Sequence, residues 1–192
     1  MPDPNTAALQ FLLTRRSRPA KMLSAPVPDR AALEPILTAA ARSPDHGKLE
    51  PWRFIVIEKP ALDRLAVLAR DRAGAAGLDP DRVEKAAAQY ADADLVVAVV
   101  AGPQPSDKVP EIEQILSAGA VCLAMLNAAL ASGWGASWLS GWASQDRGFV
   151  ETGLGLAPHE FIAGMIHIGT ERMAPPDRPR PDLDRITTWL SE

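Results

Sequence analysis

The chain has 192 residues, an apolar share of 47% and a formal charge of −4. That length suits one domain, or two small ones, with a proper core, and the acidic balance counts against nucleic acid as a partner. A single cysteine, Cys122, excludes an internal disulfide and any multi-cysteine metal site, which fits a reducing cytoplasm.

In chain order, "NTAALQFLLTRR" predicts a first helix, capped by Asn5 or Thr6, with Leu9, Leu12 and Leu13 on one face. The "TRRSRPAK" that follows leads into "MLSAPVPDRA" rather than a long apolar run, so no export signal is expected. Pro19, Pro26 and Pro28 predict an extended segment. Asp29 can cap a second helix carrying Leu33, Ile36, Leu37 and Ala40, where Pro35 predicts a bend or a later start. Ser43-Pro44 ends it.

"RFIVIE" reads as a short strand, "ALDRLAVLARDRAGAAG" and "PDRVEKAAAQYAD" as amphipathic helices, and "DLVVAVVAG" as a strand buried on both faces. "PEIEQILSAGAVCLAMLNAALASG" is the longest helix and is apolar nearly all round, so it belongs at the centre of a fold or against a second subunit. Ser117 and Asn127 interrupt it, leaving it short of the roughly 20 uninterrupted apolar residues of a membrane span; a buried helix and no membrane partner are expected. "GASWLSG" and "FIAGMIHIG" are further strands, separated by a short helix in "SQDRGFVETGLG" that a glycine ends. The alternation gives a layered α/β or α+β sheet. In the proline-rich tail, Ile186, Trp189 and Leu190 have no core of their own, which predicts an arm docked on another surface.

Arg15-Arg16-Ser17 stands where the first helix stops. It is either a pair of cations at a helix C-terminus or an anion clamp, and the clamp requires the chain to leave the helix there. Arg172 follows the last strand, either as a solvated turn residue or at the sheet end where ligand groups gather. "GWGASWLSG" fits neither a dinucleotide fingerprint nor a nucleophile elbow, because Trp138 stands where glycine is needed; Ser140 is therefore a poor hydrolase nucleophile. His46, His159 and His167 lack metal-ligand spacing, so no metal is expected. His167 reads as a satisfied core residue and His159 as exposed. The loop "RSPDHGKLEPW" carries more polar groups than a connection needs, and Trp52 needs a partner if buried; a polar ligand laid across the loop would account for both.

Taken in order, "RRS", "ARSPDHGKLEPWRFIVIE", "KVPEIEQILSAGA", "GWGASWLSG" and "HIGT" resemble the nitroreductase superfamily, and within it the small YdjA-like branch of NAD(P)H nitroreductases. The resemblance implies an α+β layered fold with a central, mainly antiparallel sheet flanked by helices. It implies an FMN-binding domain over 1–172 and a C-terminal arm, 173–192, exchanged in a homodimer with two shared sites. By the same resemblance Arg15, Arg16 and Ser17 hold the phosphate and ribityl end with help from Arg172. Arg42 and His46 belong to the flavin-binding loop, and Trp138, Leu139 and Ser140 line the ring.

The implied activity passes a hydride from NAD(P)H to FMN and on to a small oxidised acceptor, a nitro compound, quinone or enone, in ping-pong order. The flavin does the chemistry, so no catalytic side chain is expected; a cation such as Arg16 or Lys48 would favour the anionic reduced ring. Glu50 stands where the family often has glutamine, Leu139 stands where relatives carry arginine, and Gly47-Lys48 departs from the usual pairing. These departures keep open a flavin carrier or sensor without reductase activity.

Overall fold

The computed structural model describes residues 3–191 of the chain. Residues 1, 2 and 192, the outer ends of the two expected segments, lie outside the described residues. Helix α1 (Thr6–Thr14) is capped by Asn5, whose Oδ1 accepts the amide of Ala8 at 3.0 Å. A single 3-10 turn (Ala20–Met22) leads into β1 (Leu23–Ser24), a two-residue strand. Asp29 caps α2 (Arg30–Ala40) through the amide of Ala32. The helix starts at once and continues through Pro35, contrary to the bend or later start that proline predicts. The buried Leu33, Ile36 and Ala40 hold its inner face against the sheet, so packing outweighs the one missing ladder bond.

After a 3-10 turn at His46–Lys48 come β2 (Trp52–Glu58), α3 (Lys59–Ala75), α4 (Pro80–Ala91) and β3 (Leu95–Ala101). Then follow α5 (Glu111–Ala131), β4 (Gly135–Leu139), α6 (Trp142–Gln145), α7 (Arg147–Leu154), β5 (Phe161–Glu171) and α8 (Leu183–Ile186). The one helix expected before β5 is two, divided at Asp146, and Gly155 ends the second in the left-handed conformation with φ 70°.

The sheet runs β1-β5-β3-β2, with β4 also on β5, and every pairing is antiparallel. β3 is buried throughout, as its unbroken apolar run predicts. Leu95, Val97 and Val99 pack toward α2 and α5, while Val96, Ala98 and Val100 pack toward α3 and α7. This alternation makes two apolar layers from one strand.

By length and composition α5 could cross a membrane, despite Ser117 and Asn127. In this fold it is a core helix: Val121, Cys122, Met125 and Ala129 are fully buried against the sheet. Its outer side leaves Ile112, Leu116 and Leu123 exposed. The tail beyond Arg172 is exposed almost throughout, with Trp189 and Leu190 each 89% accessible.

Candidate functional site

Arg15 is the residue at which the chain leaves α1, with φ −54° and ψ 145°. The two arginines therefore need not point 100° apart, which the anion-clamp reading required. Arg15 Nη1 donates to Asn127 Oδ1 on α5 at 3.2 Å. Burial, and then the nearby Arg180 and Arg16, pulls its pKa below the ordinary value. A cation made costly in this way is what an anion would relieve. The Nε of Arg16 is buried without a hydrogen-bond partner among the described residues.

Arg18 fixes this loop. Its amide donates to Ala136 O on β4 at 2.8 Å, its Nη1 to Arg16 O at 2.8 Å, and its Nε pairs with Glu171 at the end of β5. The exposed Arg172 follows Glu171 and donates its own amide to Met22 O. The fold thus brings Arg15, Arg16, Ser17 and Arg172 to one end of the sheet. Arg18 and Asn127 were not singled out from sequence, although Arg18 continues the same basic run.

The loop containing Arg42 and His46 lies elsewhere. Part of its polarity closes on the chain itself, while the side chains of Arg42, Lys48 and Glu50 make no hydrogen bond among the described residues. Ser117 Oγ donates to Pro44 O at 2.7 Å and accepts Trp52 Nε1 at 3.1 Å. His46 Nδ1 meets Glu113 Oε2 at 2.6 Å, and Asp45 Oδ2 accepts the amide of Glu50 at 2.6 Å. Lys48 and Glu50, at φ 55° and 47°, occupy the left-handed region, a strain the Asp45 bond helps to hold. Arg42 is exposed. Since the loop docks at Ser117 and Arg15 docks at Asn127, the two groups sit ten residues apart on α5, about 15 Å along its axis.

At the end of β4, Leu139 and Ser140 line a cavity of about 360 Å³ with Lys21, Lys85, Gln89 and His167. Gln89 Nε2 and His167 Nε2 are buried without partners among the described residues, so His167 is a core residue but not the satisfied one expected. Burial lowers its pKa to about 4, keeping the imidazole neutral. Trp138 is not in this cavity, because successive strand residues face opposite ways. Its indole instead crosses Gly164 and approaches Cys122 on the α5 side, where a Cβ on Gly164 would collide with both. Burial pushes the Cys122 thiol up to about 12, so it stays protonated. Lys21, Lys85 and Gln89 were missed from sequence; the polar spacing of Lys85 and Gln89 on one face of α4 was their only signal. A larger groove of about 430 Å³ between α2 and β2 contains none of the expected residues.

The Nitroreductase family model matches residues 12–170. The chain belongs to the nitroreductase family. It is 37% identical over 166 residues to the Escherichia coli K12 protein named "Putative NAD(P)H nitroreductase YdjA", covering 86% of this chain and 89% of that one. Identity is also 37% over 165 residues, covering 85% and 88%, to a Haemophilus influenzae protein named "Putative NAD(P)H nitroreductase". A nitroreductase-like protein of Bacillus cereus superposes with TM-score 0.79 at 21% identity over the whole of both chains. A Desulfovibrio desulfuricans protein named "putative nitroreductase", crystallised with FMN, gives 0.72 at 23% identity, covering 99% of this chain and 98% of that one. At these identities the structural likeness establishes the nitroreductase fold, and the fold agrees with the antiparallel sheet and flanking helices described above.

Proposed function

We propose that the protein is an FMN-dependent oxidoreductase that takes its electrons from NAD(P)H. The observation that carries this reading is a pair of buried donors without acceptors among the described residues, Arg16 Nε and Gln89 Nε2, each set among cations. Arg15, Arg16, Ser17 and Arg172 suit a phosphate, with the buried Arg16 Nε free to donate. Lys21, Lys85 and Gln89 suit the carbonyl-rich edge of a flavin ring laid against Leu139 and Ser140. The donor set therefore fits FMN. The names of the relatives and the FMN bound to the Desulfovibrio protein support the same reading.

When bound, FMN supplies the redox chemistry, passing two electrons from NAD(P)H to a nitro compound, quinone or enone. The chain's part is to hold and orient. Its arginines neutralise the phosphate, Lys21 and Lys85 favour negative charge at the ring edge, and the β4 backbone forms a flat wall. Donor and acceptor use one opening in turn, which gives ping-pong kinetics.

The site is completed by a second copy of the chain. Arg42 and His46, held toward the other end of α5 from Arg15, serve the second flavin of the pair. The exposed Leu9, Leu12 and Leu13 of α1 and Ile112, Leu116 and Leu123 of α5 supply its apolar surface. Residues 173–192 act as an arm that buries Ile186, Trp189 and Leu190 on the partner, leaving 1–172 as the FMN-binding unit.

Purified protein titrated with FMN and then mixed with NADPH without oxygen tests the reading. Bleaching of the bound flavin within seconds is expected. Bound flavin that stays yellow with NADPH and with NADH indicates a carrier or sensor instead. Intersecting two-substrate plots count against the single opening, and a strictly monomeric folded protein counts against the shared site.

A further inference from the structure

A second groove, of about 290 Å³, adjoins the cavity at Ser140 and is lined by Leu78, Arg82, Lys85, Gln89, Gly141 and Trp142. Lys85, Gln89 and Ser140 line both spaces, so the two adjoin. Arg82, Lys85 and Gln89 stand at i, i+3 and i+7 of α4 and therefore share one face. Asp79 caps this helix by accepting the amide of Arg82 at 3.0 Å.

The cations of this groove are grouped beside apolar side chains and stand unpaired among the described residues, unlike those of the neighbouring helices. Arg70, Arg72 and Arg147 on the same flank each grip a carboxylate. Arg82, Lys85 and Lys21 have no carboxylate within ion-pair distance among the described residues. In the two linings together, Asp92 is the one acidic side chain among the described residues. Beside the cations lie an indole and a leucine, a flat apolar patch next to phosphate-binding chemistry.

We propose that this groove holds the adenosine-diphosphate half of the nicotinamide donor. Arg82 takes the phosphates and Trp142 with Leu78 packs against the adenine, while the nicotinamide reaches the open face of the flavin ring. The proposal rests on the flavin reading above and adds to it a place for the part of the donor that does not react. Such remote contacts position the reacting end.

The test compares FMN-loaded parent protein with Arg82→Ala on three donors: NADPH, NADH and the phosphate-free 1-benzyl-1,4-dihydronicotinamide. The KM values for the two dinucleotides should rise about tenfold relative to that for the benzyl donor, the loss of one charge-assisted contact. Equilibrium dialysis of ADP against the loaded protein should show a comparable weakening, with Arg82→Lys recovering part of it. A uniform change across all three donors, or equal ADP binding by parent and Arg82→Ala, overturns the proposal. Weaker FMN binding by Arg82→Ala also overturns it, because the groove then belongs to the flavin. A parent that refuses FMN removes the flavin reading itself, whereas a parent reduced by NADPH and matched by Arg82→Ala removes this assignment alone.

Discussion

The loop at 42–50 and the junction of β4 with α4 are both polar regions set against an apolar sheet, and they handle that polarity in opposite ways. In the loop the chain answers its own groups: Ser117 serves Pro44 and Trp52, Glu113 serves His46, and Asp45 serves Glu50. At the junction Gln89 and His167 keep buried nitrogens unanswered, and Lys21 and Lys85 face the same cavity. A region whose hydrogen bonds close internally is built to hold a shape. One that keeps donors open in a buried place is built for a molecule that brings acceptors.

The largest expected effect that would sharpen this contrast is an acid one. His167 has a folded pKa of about 4 against an ordinary 6.5, so as pH falls the unfolded chain takes up that proton first. Stability is therefore complete above pH 6.5 and declines between 6.5 and 4, by up to about 3 kcal/mol. Urea midpoints measured across that range should fall in the parent and fall less in His167→Gln; an identical slope would remove His167 as the cause. Next, Arg15→Ala combined with Arg16→Ala should weaken FMN binding about 100-fold, or about 2.7 kcal/mol, by fluorescence titration. An unchanged affinity would place the phosphate elsewhere.

Ser117→Ala should cost about 2 kcal/mol of stability in chemical denaturation, since it strands Trp52 Nε1 and the Pro44 carbonyl. Gln89→Leu should do the reverse. Its midpoint should stay within about 0.5 kcal/mol of the parent's, while FMN affinity drops about tenfold, or about 1.4 kcal/mol. If the two substitutions behave alike, the distinction between a closed and an open region fails. The smallest effect lies in neither region. Glu160, gripped by Arg53 through two bonds, has its pKa lowered from 4.5 to about 2. Its contribution is present above pH 4.5 and is lost as pH falls toward 2. Glu160→Gln should lower stability at neutral pH by about 1 kcal/mol, given that Arg53 is half exposed.

The elements were legible wherever periodicity carried them. The unbroken apolar run of β3 and the all-round apolar α5 are placed as read, because burial on two faces leaves a strong local mark. Pro35 predicts a break from local propensity alone, and the tertiary packing of Leu33 and Ile36 outweighs it. β1 escaped notice because two residues have no period at all. At the candidate site, consecutive residues such as Arg15 and Arg16 could be found by eye, and the resemblance supplied their role. Lys21, Lys85 and Gln89 could not be found in that way. They come from the turn before β1 and from α4, and only the folded sheet sets them beside Ser140. Trp138 shows the converse: the resemblance implied one wall shared with Leu139, and the pleat sends the two side chains to opposite faces.

Gly164 has a consequence of scale. The indole of Trp138 rests directly over its α-carbon, with the Cys122 sulfur close by, so the ring sits flush with the sheet because one methyl group is missing. Alanine there would act as a shim, lifting the aromatic plate by roughly the thickness of a carbon atom and widening the seam between β4 and α5. The depth to which anything can settle on that flank is thus set by the smallest residue in the strand.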